Sequence, residues 1–502
     1  MHGWTTGPLM IFFAVALPLL NPFAPGPSAQ VVPLLVSWLG CAALLAVFRP
    51  AWVRPVAWGW LAAALLSSVI GLCQYFGIAE FFAPWMNAGS AGEAFANLRQ
   101  RNQLATLTNM GVAALLWWFG SRWQRDAGSK GRPELIAAYL GLAILVAGNA
   151  ASASRIGALQ LLGLVFLTGI WKTPFRARLL ATAVAGLLWY VAAAAVLPFL
   201  LEFFWDIPGQ NVFARMANEQ GCASRRVLWT NVLQLIAQKP WTGWGWGELD
   251  YAHYATLYPG ERFCDILDNA HNLPLHLAVE LGIPLAVLLC SATAWLAIAA
   301  APWRASKLDH RLAWMVLAVI MLHSMVEYPL WYGPFQMAAG LCIWLLWPMA
   351  RGANDERLAG DTRFMALRRG TALLLTGAIA LAGWDYSRVS EIYRPPEERS
   401  SGYRDDTLAK LSGSWLFRNQ VQFAALSLTA LTPANAAPMA ALANELLHFS
   451  PERRVIEVLI ESSMLMGRED QALWHMARYR AAFPEDFAAW NSTYRGALPP
   501  SR

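Results

Sequence analysis

Apolar runs of roughly bilayer length recur along most of this chain, divided by polar connections. They fall near residues 9–20, 31–48, 56–78, 102–120, 134–149, 156–171 and 179–201, then near 273–300, 312–328, 330–350 and 370–386. A helix crosses a bilayer with about 20 apolar residues. The pattern therefore predicts an all-α integral membrane protein with about eleven transmembrane helices, give or take one. The 134–149 and 156–171 runs are short, and Pro329 admits a re-entrant element. Ahead of the first run there is almost no basic segment, and the Pro-Gly-Pro-Ser-Ala-Gln after it makes a poor cleavage site, so it is read as an uncleaved span.

Beyond residue 386 the pattern changes to Arg/Glu-rich amphipathic helix. Phe449-Ser450-Pro451-Glu452 and Phe483-Pro484-Glu485 recur about 33 residues apart, an echo of a tetratricopeptide-type hairpin period. The expected division is a transmembrane domain over 1–386, including a large loop at 202–270, and a helical, tetratricopeptide-like domain over 387–502.

Composition sharpens this picture. Hydrophobic residues make up 57% and charged residues 14%, and the 26 Trp and 13 Tyr gather near run ends as interfacial anchors do. The +6 net charge is a topology signal and not a nucleic-acid patch, because the basic residues fall in alternate connections. Arg49 and Arg54 lie in one, and Arg122, Arg125, Lys130 and Arg132 in the next. Lys172, Arg176 and Arg178, then Arg304, Lys307 and Arg311, and finally Arg351, Arg357, Arg363, Arg368 and Arg369 continue the series. The positive-inside rule puts these connections and the N-terminus in the cytoplasm. The connections near 79–101, 150–155, 202–270 and 324–330 then face outward with the tail.

The polar clusters with chemical character share that outward face. Asp268-Asn269-Ala270-His271-Asn272 opens the apolar run at 273, with Glu280 nine positions beyond His271, roughly 13 Å deeper along one continuous helix. His271 reads either as a base at the membrane rim or as a helix cap, and Glu280 as a functional or a structural carboxylate. Gln100-Arg101-Asn102-Gln103 offers amides and guanidinium for sugar hydroxyls or phosphate, or is a solvated loop. Arg155 follows Ser152-Ala153-Ser154 and either meets a ligand or snorkels to headgroups. Arg225 and Arg226 open an amphipathic helix, and Lys239-Pro240-Trp241-Thr242-Gly243-Trp244-Gly245-Trp246-Gly247 forms a tight aromatic loop. His323 and Glu327 stand one helical turn apart, a functional pair or a structural lock. No Cys/His metal spacing occurs, and Asp265 with Asp268 lacks further oxygen ligands, so no metal site is expected.

Taken together, His271-Asn272 through Glu280-Leu281-Gly282, Arg225 with Trp229, Pro-Trp-Thr-Gly-Trp-Gly and Ser154-Arg155-Ile156-Gly157 resemble the O-antigen ligase/polymerase superfamily. Gln100-Arg101-Asn102-Gln103-Leu104-Ala105 resembles the glycosylation-ligase motif of bacterial protein O-oligosaccharyltransferases (pilin glycosylation ligases), with Arg101 where a Pro is common. His323-Ser324 to Tyr328-Pro329-Leu330, with the helical tail, resembles their C-terminal region.

The resemblance implies a polyprenyl-phosphosugar-dependent membrane glycosyltransferase of the bacterial inner membrane. It would move a preassembled glycan from undecaprenyl diphosphate to Ser or Thr hydroxyls of a periplasmic protein such as pilin, with no cofactor. His271 is the expected general base. Arg155, Arg225 and Arg226 are expected to hold the lipid diphosphate. Gln100, Arg101, Asn102, Gln103, Asn272, Glu280, His323, Glu327 and Tyr328 are expected to bind substrate. An O-antigen ligase or polymerase with a lipid A core or glycan acceptor is the nearest alternative. A polyprenyl-lipid flippase or transporter is the alternative from another class, disfavoured because no internal repeat is seen. Cys222 and Cys264 share the outward loop, without competing thiols, and are expected to form a disulfide.

Overall fold

The computed structural model describes residues 6–47, 49, 52–125, 132–207, 221–347 and 362–497. Among them every regular element is helical. Lys130, Arg351 and Arg357 of the basic connections, part of the 202–270 loop and the last residues of the tail lie outside the described residues. Contacts divide the chain into two units, Met1–Asn218 with Ala294–Gly383, and Glu219–Thr293 with Trp384–Arg502. Residues 219–293 thus cluster with the tail, whereas the sequence reading attached the loop to the membrane portion.

In the first unit the helices are α1 (Thr6–Leu20), α2 (Val31–Val47), α3 (Val53–Tyr75), α4 (Arg101–Arg125), α5 (Arg132–Ala151), α6 (Arg155–Ile170) and α7 (Arg176–Trp205). Each falls on a predicted apolar run. Hydrophobic residues dominate them on nearly all sides, as membrane helices require. α3 packs against α1, α4 and α5, and α4 also meets α6. Small residues set these approaches. A Cβ on Gly111 would lie 2.5 Å from Ala64 Cβ, and one on Gly148 2.5 Å from Ser68 Cβ. Such positions let helices meet closely where hydrophobic drive between them is absent.

Three further helices follow the loop: α11 (Ile283–Ala299), which straddles the unit boundary, α12 (Leu308–Ser324) and α13 (Gly333–Leu346). α14 (Thr362–Ser390) runs on into the second unit. Among the described residues five helices are long and apolar enough to cross a membrane, at Val53–Tyr75, Pro133–Ala151, Arg176–Trp205, Ile283–Arg304 and Thr362–Tyr393. Thr6–Leu20, Val31–Val47, Arg155–Ile170 and Gly333–Leu346 are shorter apolar helices.

The second unit opens with α8 (Arg225–Gln238), α9 (Leu249–Ala255) and α10 (Leu273–Leu281). Leu228, Val232, Leu235, Leu249, Phe263, Leu267 and Val279 form their shared core. Cys222 and Cys264 are bridged, with Cα atoms 5.4 Å apart. The tail supplies α15 (Thr407–Leu411), α16 (Arg418–Leu428), α17 (Ala436–Leu446), α18 (Arg453–Leu465), α19 (Glu469–Ala482) and α20 (Pro484–Ala497). Tyr254 of α9 is buried in the tail core, where its hydroxyl meets His475 Nδ1 at 2.9 Å, and Arg478 donates to the Ala255 carbonyl at 2.8 Å.

One expectation is overturned. The run from 273 to 300 is not a single helix. It breaks at Gly282, whose φ of +83° and ψ of 159° stop α10 before α11 begins. Glu280 therefore lies in the last turn of a nine-residue helix that ends before the candidate span Ile283–Arg304. α12 likewise ends at Ser324, so Glu327 lies just past its terminus and not on its last turn.

Candidate active site

His271 sits on a short bridge between the loop and α10. Its φ is +49°, a left-handed conformation that costs an L-residue about 1–2 kcal/mol and persists only where neighbours impose it. Those neighbours include the bridge itself and Trp229 of α8. Asn269 Oδ1 accepts from the His271 N–H at 2.8 Å. The Ala270 carbonyl accepts from Trp229 Nε1 at 3.1 Å. Asn272 caps α10 by accepting from the Leu275 N–H at 3.0 Å, and Pro274 occupies the first turn, where no N–H is needed. The helix thus starts two residues after His271, which leaves the imidazole half-buried on the bridge. Arg225 stands one turn before Trp229 on α8 and shares its face toward the bridge. Arg226 next to it is exposed.

Beneath the bridge lies His276, which the sequence reading passed over. It is buried, its Nδ1 accepts a long 3.5 Å bond from the Ala270 N–H, and its Nε2 faces Glu280 Oε2 at 3.4 Å. Acceptance at Nδ1 assigns the proton to Nε2, pointing at the carboxylate. Burial lowers the His276 pKa, helped by the nearby His271. Burial also raises that of Glu280. Its spacing, four residues before Glu280, was the available signal.

Glu280 also accounts for the Trp-Gly loop. Its Oε1 accepts from the Gly247 N–H at 3.0 Å, and its carbonyl from the Gly245 N–H at 3.0 Å. Trp244 N–H donates to Val279 O at 2.9 Å, and Ile283 N–H to Pro240 O at 2.8 Å. Only glycine permits the approach, since a Cβ on Gly243 would fall 2.2 Å from Glu280 O and one on Gly282 2.3 Å from Trp241 O. Glu280 is 2% exposed and clamps this loop to α10. Trp241 and Trp246 remain exposed.

The remaining candidates belong to the first unit, where the ends of α4, α6 and α12 share a polar network. Asn102 Nδ2 donates to Glu327 Oε1 at 3.2 Å, and Asn102 Oδ1 accepts from the Ser154 hydroxyl at 2.7 Å. Ser154 caps α6, accepting from the Gly157 N–H at 3.3 Å, and Arg155 beside it is exposed. Thr106 Oγ1 meets His323 Nδ1 at 2.8 Å and accepts from Gln160 Nε2 at 2.8 Å. Asn109 extends the network to Gln160 Oε1 at 3.0 Å. Arg101 pairs with Glu93, and Gln100 Oε1 caps α4 at the Gln103 N–H, 2.9 Å away. Tyr328 is half-buried and stacks on Tyr332, ring centroids 5.8 Å apart. Thr106, Asn109 and Gln160 carried no sequence signal, because their partners lie 48–217 residues away. Asp265 and Asp268 gain no third ligand: among the described residues no group of three His, Cys, Asp or Glu is placed to hold a metal ion.

Fold and site define the class first: an all-α, multi-pass membrane protein with a polar network at the ends of its helices and a histidine-bearing bridge ahead of a span. Comparison with known proteins agrees residue range by residue range. Residues 94–119 match the protein glycosylation ligase family, 140–290 the O-antigen ligase family, and 311–495 the C-terminal region of virulence factor membrane-bound polymerases. A general O-oligosaccharyltransferase of Acinetobacter baylyi is 23% identical over 299 residues, 57% of this chain and 49% of the relative. A ComP-specific O-oligosaccharyltransferase of the same organism is 23% identical over 351 residues, 68% of this chain and 60% of the relative. The match therefore spans between half and three-fifths of these relatives' own lengths. The chain is thus similar to bacterial protein O-oligosaccharyltransferases and, through its 140–290 segment, to O-antigen ligases.

Proposed function

We propose that this chain transfers a preassembled glycan, en bloc, from undecaprenyl diphosphate to Ser or Thr hydroxyls of a periplasmic protein such as pilin. The observation that carries the reading is the protein glycosylation ligase segment at 94–119 beside an O-antigen ligase segment that contains His271. His271 takes the proton of the acceptor hydroxyl as its oxygen attacks the anomeric carbon. The bond from that carbon to the diphosphate breaks, and undecaprenyl diphosphate leaves. Arg155, Arg225 and Arg226 offset the charge gathering on the leaving diphosphate without a metal. Amides of Gln100, Asn102, Gln103 and Asn272, with Arg101, His323, Glu327 and Tyr328, serve substrate binding, and Glu280 serves it by fixing the Trp-Gly loop. About eleven apolar helices span the bacterial inner membrane, with the N-terminus cytoplasmic and the tetratricopeptide-like tail over 387–502 periplasmic.

Deletion followed by mass spectrometry of periplasmic glycoproteins and a lipopolysaccharide gel tests this. Loss of protein glycans with intact O-antigen supports it. Intact protein glycans with O-antigen lost would instead select the lipid A core ligase.

A further inference from the structure

A cavity of about 160 Å³ opens among the ends of α1, α2, α4 and α13, wholly within the first unit. Gln30, Arg99, Gln100, Gln103 and Tyr332, with Asn21 and Asn97, supply its polar lining, and no lining residue is acidic. Three helices of 14 to 25 residues begin at it. Gln30 directly precedes α2, Gln100 precedes α4 and Tyr332 precedes α13. Each N-terminus carries about half a positive charge and favours an anion. The one helix that ends here, α1, has its Leu20 carbonyl occupied by Asn97 Nδ2 at 2.9 Å.

Two side chains turn this convergence into a built site. Gln103 is 2% exposed, and its amide nitrogen is a buried donor with no protein acceptor. A buried donor left so is destabilising unless a ligand accepts from it. Arg99 is half-buried in a left-handed conformation, φ +61°. Its hydrogen bonds go to neutral oxygens, the carbonyls of Asn97 and Pro22 and Asn87 Oδ1.

We propose that this cavity binds the phosphate of a lipid-borne anion, with Gln103 Nε2, Arg99 and the three helix N-termini as its donors. The anion is lipid-borne because the cavity lies at the ends of apolar helices. The headgroup of a bilayer phospholipid and the diphosphate of the lipid-linked donor share this chemistry. Only the second source rests on the glycan-transfer reading above.

The full-length protein is reconstituted in nanodiscs containing phosphatidylglycerol or phosphatidylcholine, and retained lipid is read by native mass spectrometry without turnover. Wild type should retain phosphatidylglycerol in preference to phosphatidylcholine. Gln103→Glu, nearly isosteric, should weaken retention at least tenfold. Gln30→Glu, at an exposed rim position, should weaken it several-fold while leaving the melting temperature unchanged. Displacement by the undecaprenyl-diphosphate glycan identifies the donor as occupant, and resistance to it identifies a resident phospholipid. Equal retention by wild type and Gln30→Glu, no preference for the anionic lipid, or displacement by inorganic phosphate but by neither lipid would overturn the proposal. Loss of protein glycosylation is a separate readout, so failure of the transfer reading leaves phospholipid retention unaffected.

Discussion

Gly282→Ala puts a methyl group where the Trp-Gly loop meets α10. The backbone there, φ +83° and ψ 159°, suits glycine alone, and the new Cβ would fall 2.3 Å from Trp241 O and 2.6 Å from its carbonyl carbon. Holding an L-residue in such a region costs of order 1–3 kcal/mol before any clash. The clash is relieved only if the loop retreats. Retreat breaks the bonds from Trp244 N–H to Val279 O, from Gly245 N–H to Glu280 O and from Ile283 N–H to Pro240 O. At about 1 kcal/mol net each, docking loses about 3 kcal/mol, which makes loop opening roughly a hundredfold more frequent. Hydrogen–deuterium exchange of the peptide containing residues 244–247 reads this directly, with exchange expected to speed up by about that factor. Gly260→Ala, where a Cβ meets nothing within 4 Å, serves as the control. Unchanged protection in Gly282→Ala would refute the idea that the loop is clamped through this contact.

Three other outcomes follow from the site. Burial raises the Asp250 carboxyl from 3.8 to about 7, opposed by the Tyr251 amide and reinforced by Glu248 and Asp268. The folded chain therefore holds this proton more tightly than the unfolded one. The resulting stability is full below about pH 4 and lost as pH rises through about 7. Asp250→Asn, which keeps an acceptor for Tyr251 N–H, should raise the melting temperature at pH 8 more than at pH 5; equal shifts would discard the argument. The Cys222–Cys264 bridge closes a sequence separation of 42 residues, worth roughly 3–4 kcal/mol in the chain-entropy model. Non-reducing peptide mapping should find it in fresh membranes, and two free thiols there would sink it. Arg155→Ala and Arg225→Ala should each raise the donor requirement and slow transfer, with Lys rescuing only in part, and EDTA should leave transfer intact. Strict dependence on Mg²⁺ or Mn²⁺ would hand the diphosphate to Asp265 and Asp268.

The helices were legible because long apolar runs mark them, and every predicted run is helical, although among the described residues only five helices are long and apolar enough to cross a membrane. What the runs hid was the break at Gly282. Leu277-Ala278-Val279 and Ile283-Pro284-Leu285 are equally apolar, so hydropathy shows no boundary, although glycine followed closely by proline is a helix-end signal. His271 and Asn272 were visible because a polar cluster before an apolar run is a local feature. His276 was visible in principle, four residues before Glu280, but a histidine inside an apolar run reads as part of the run. The Asn102–Glu327 and Thr106–His323 contacts bridge 225 and 217 residues. Nothing in either segment announces its partner, because helix packing brings them together.

Single-turnover transfer by purified enzyme from an undecaprenyl-diphosphate glycan to a Ser-containing pilin tests the central claim most directly. Wild type should glycosylate the hydroxyl. His271→Ala should insert, bind donor and lose about 10²–10⁴-fold in rate, the usual contribution of a general base. His323, held by Thr106 in the first unit, is the competing base. Near wild-type turnover by His271→Ala with a dead His323→Ala would contradict the account.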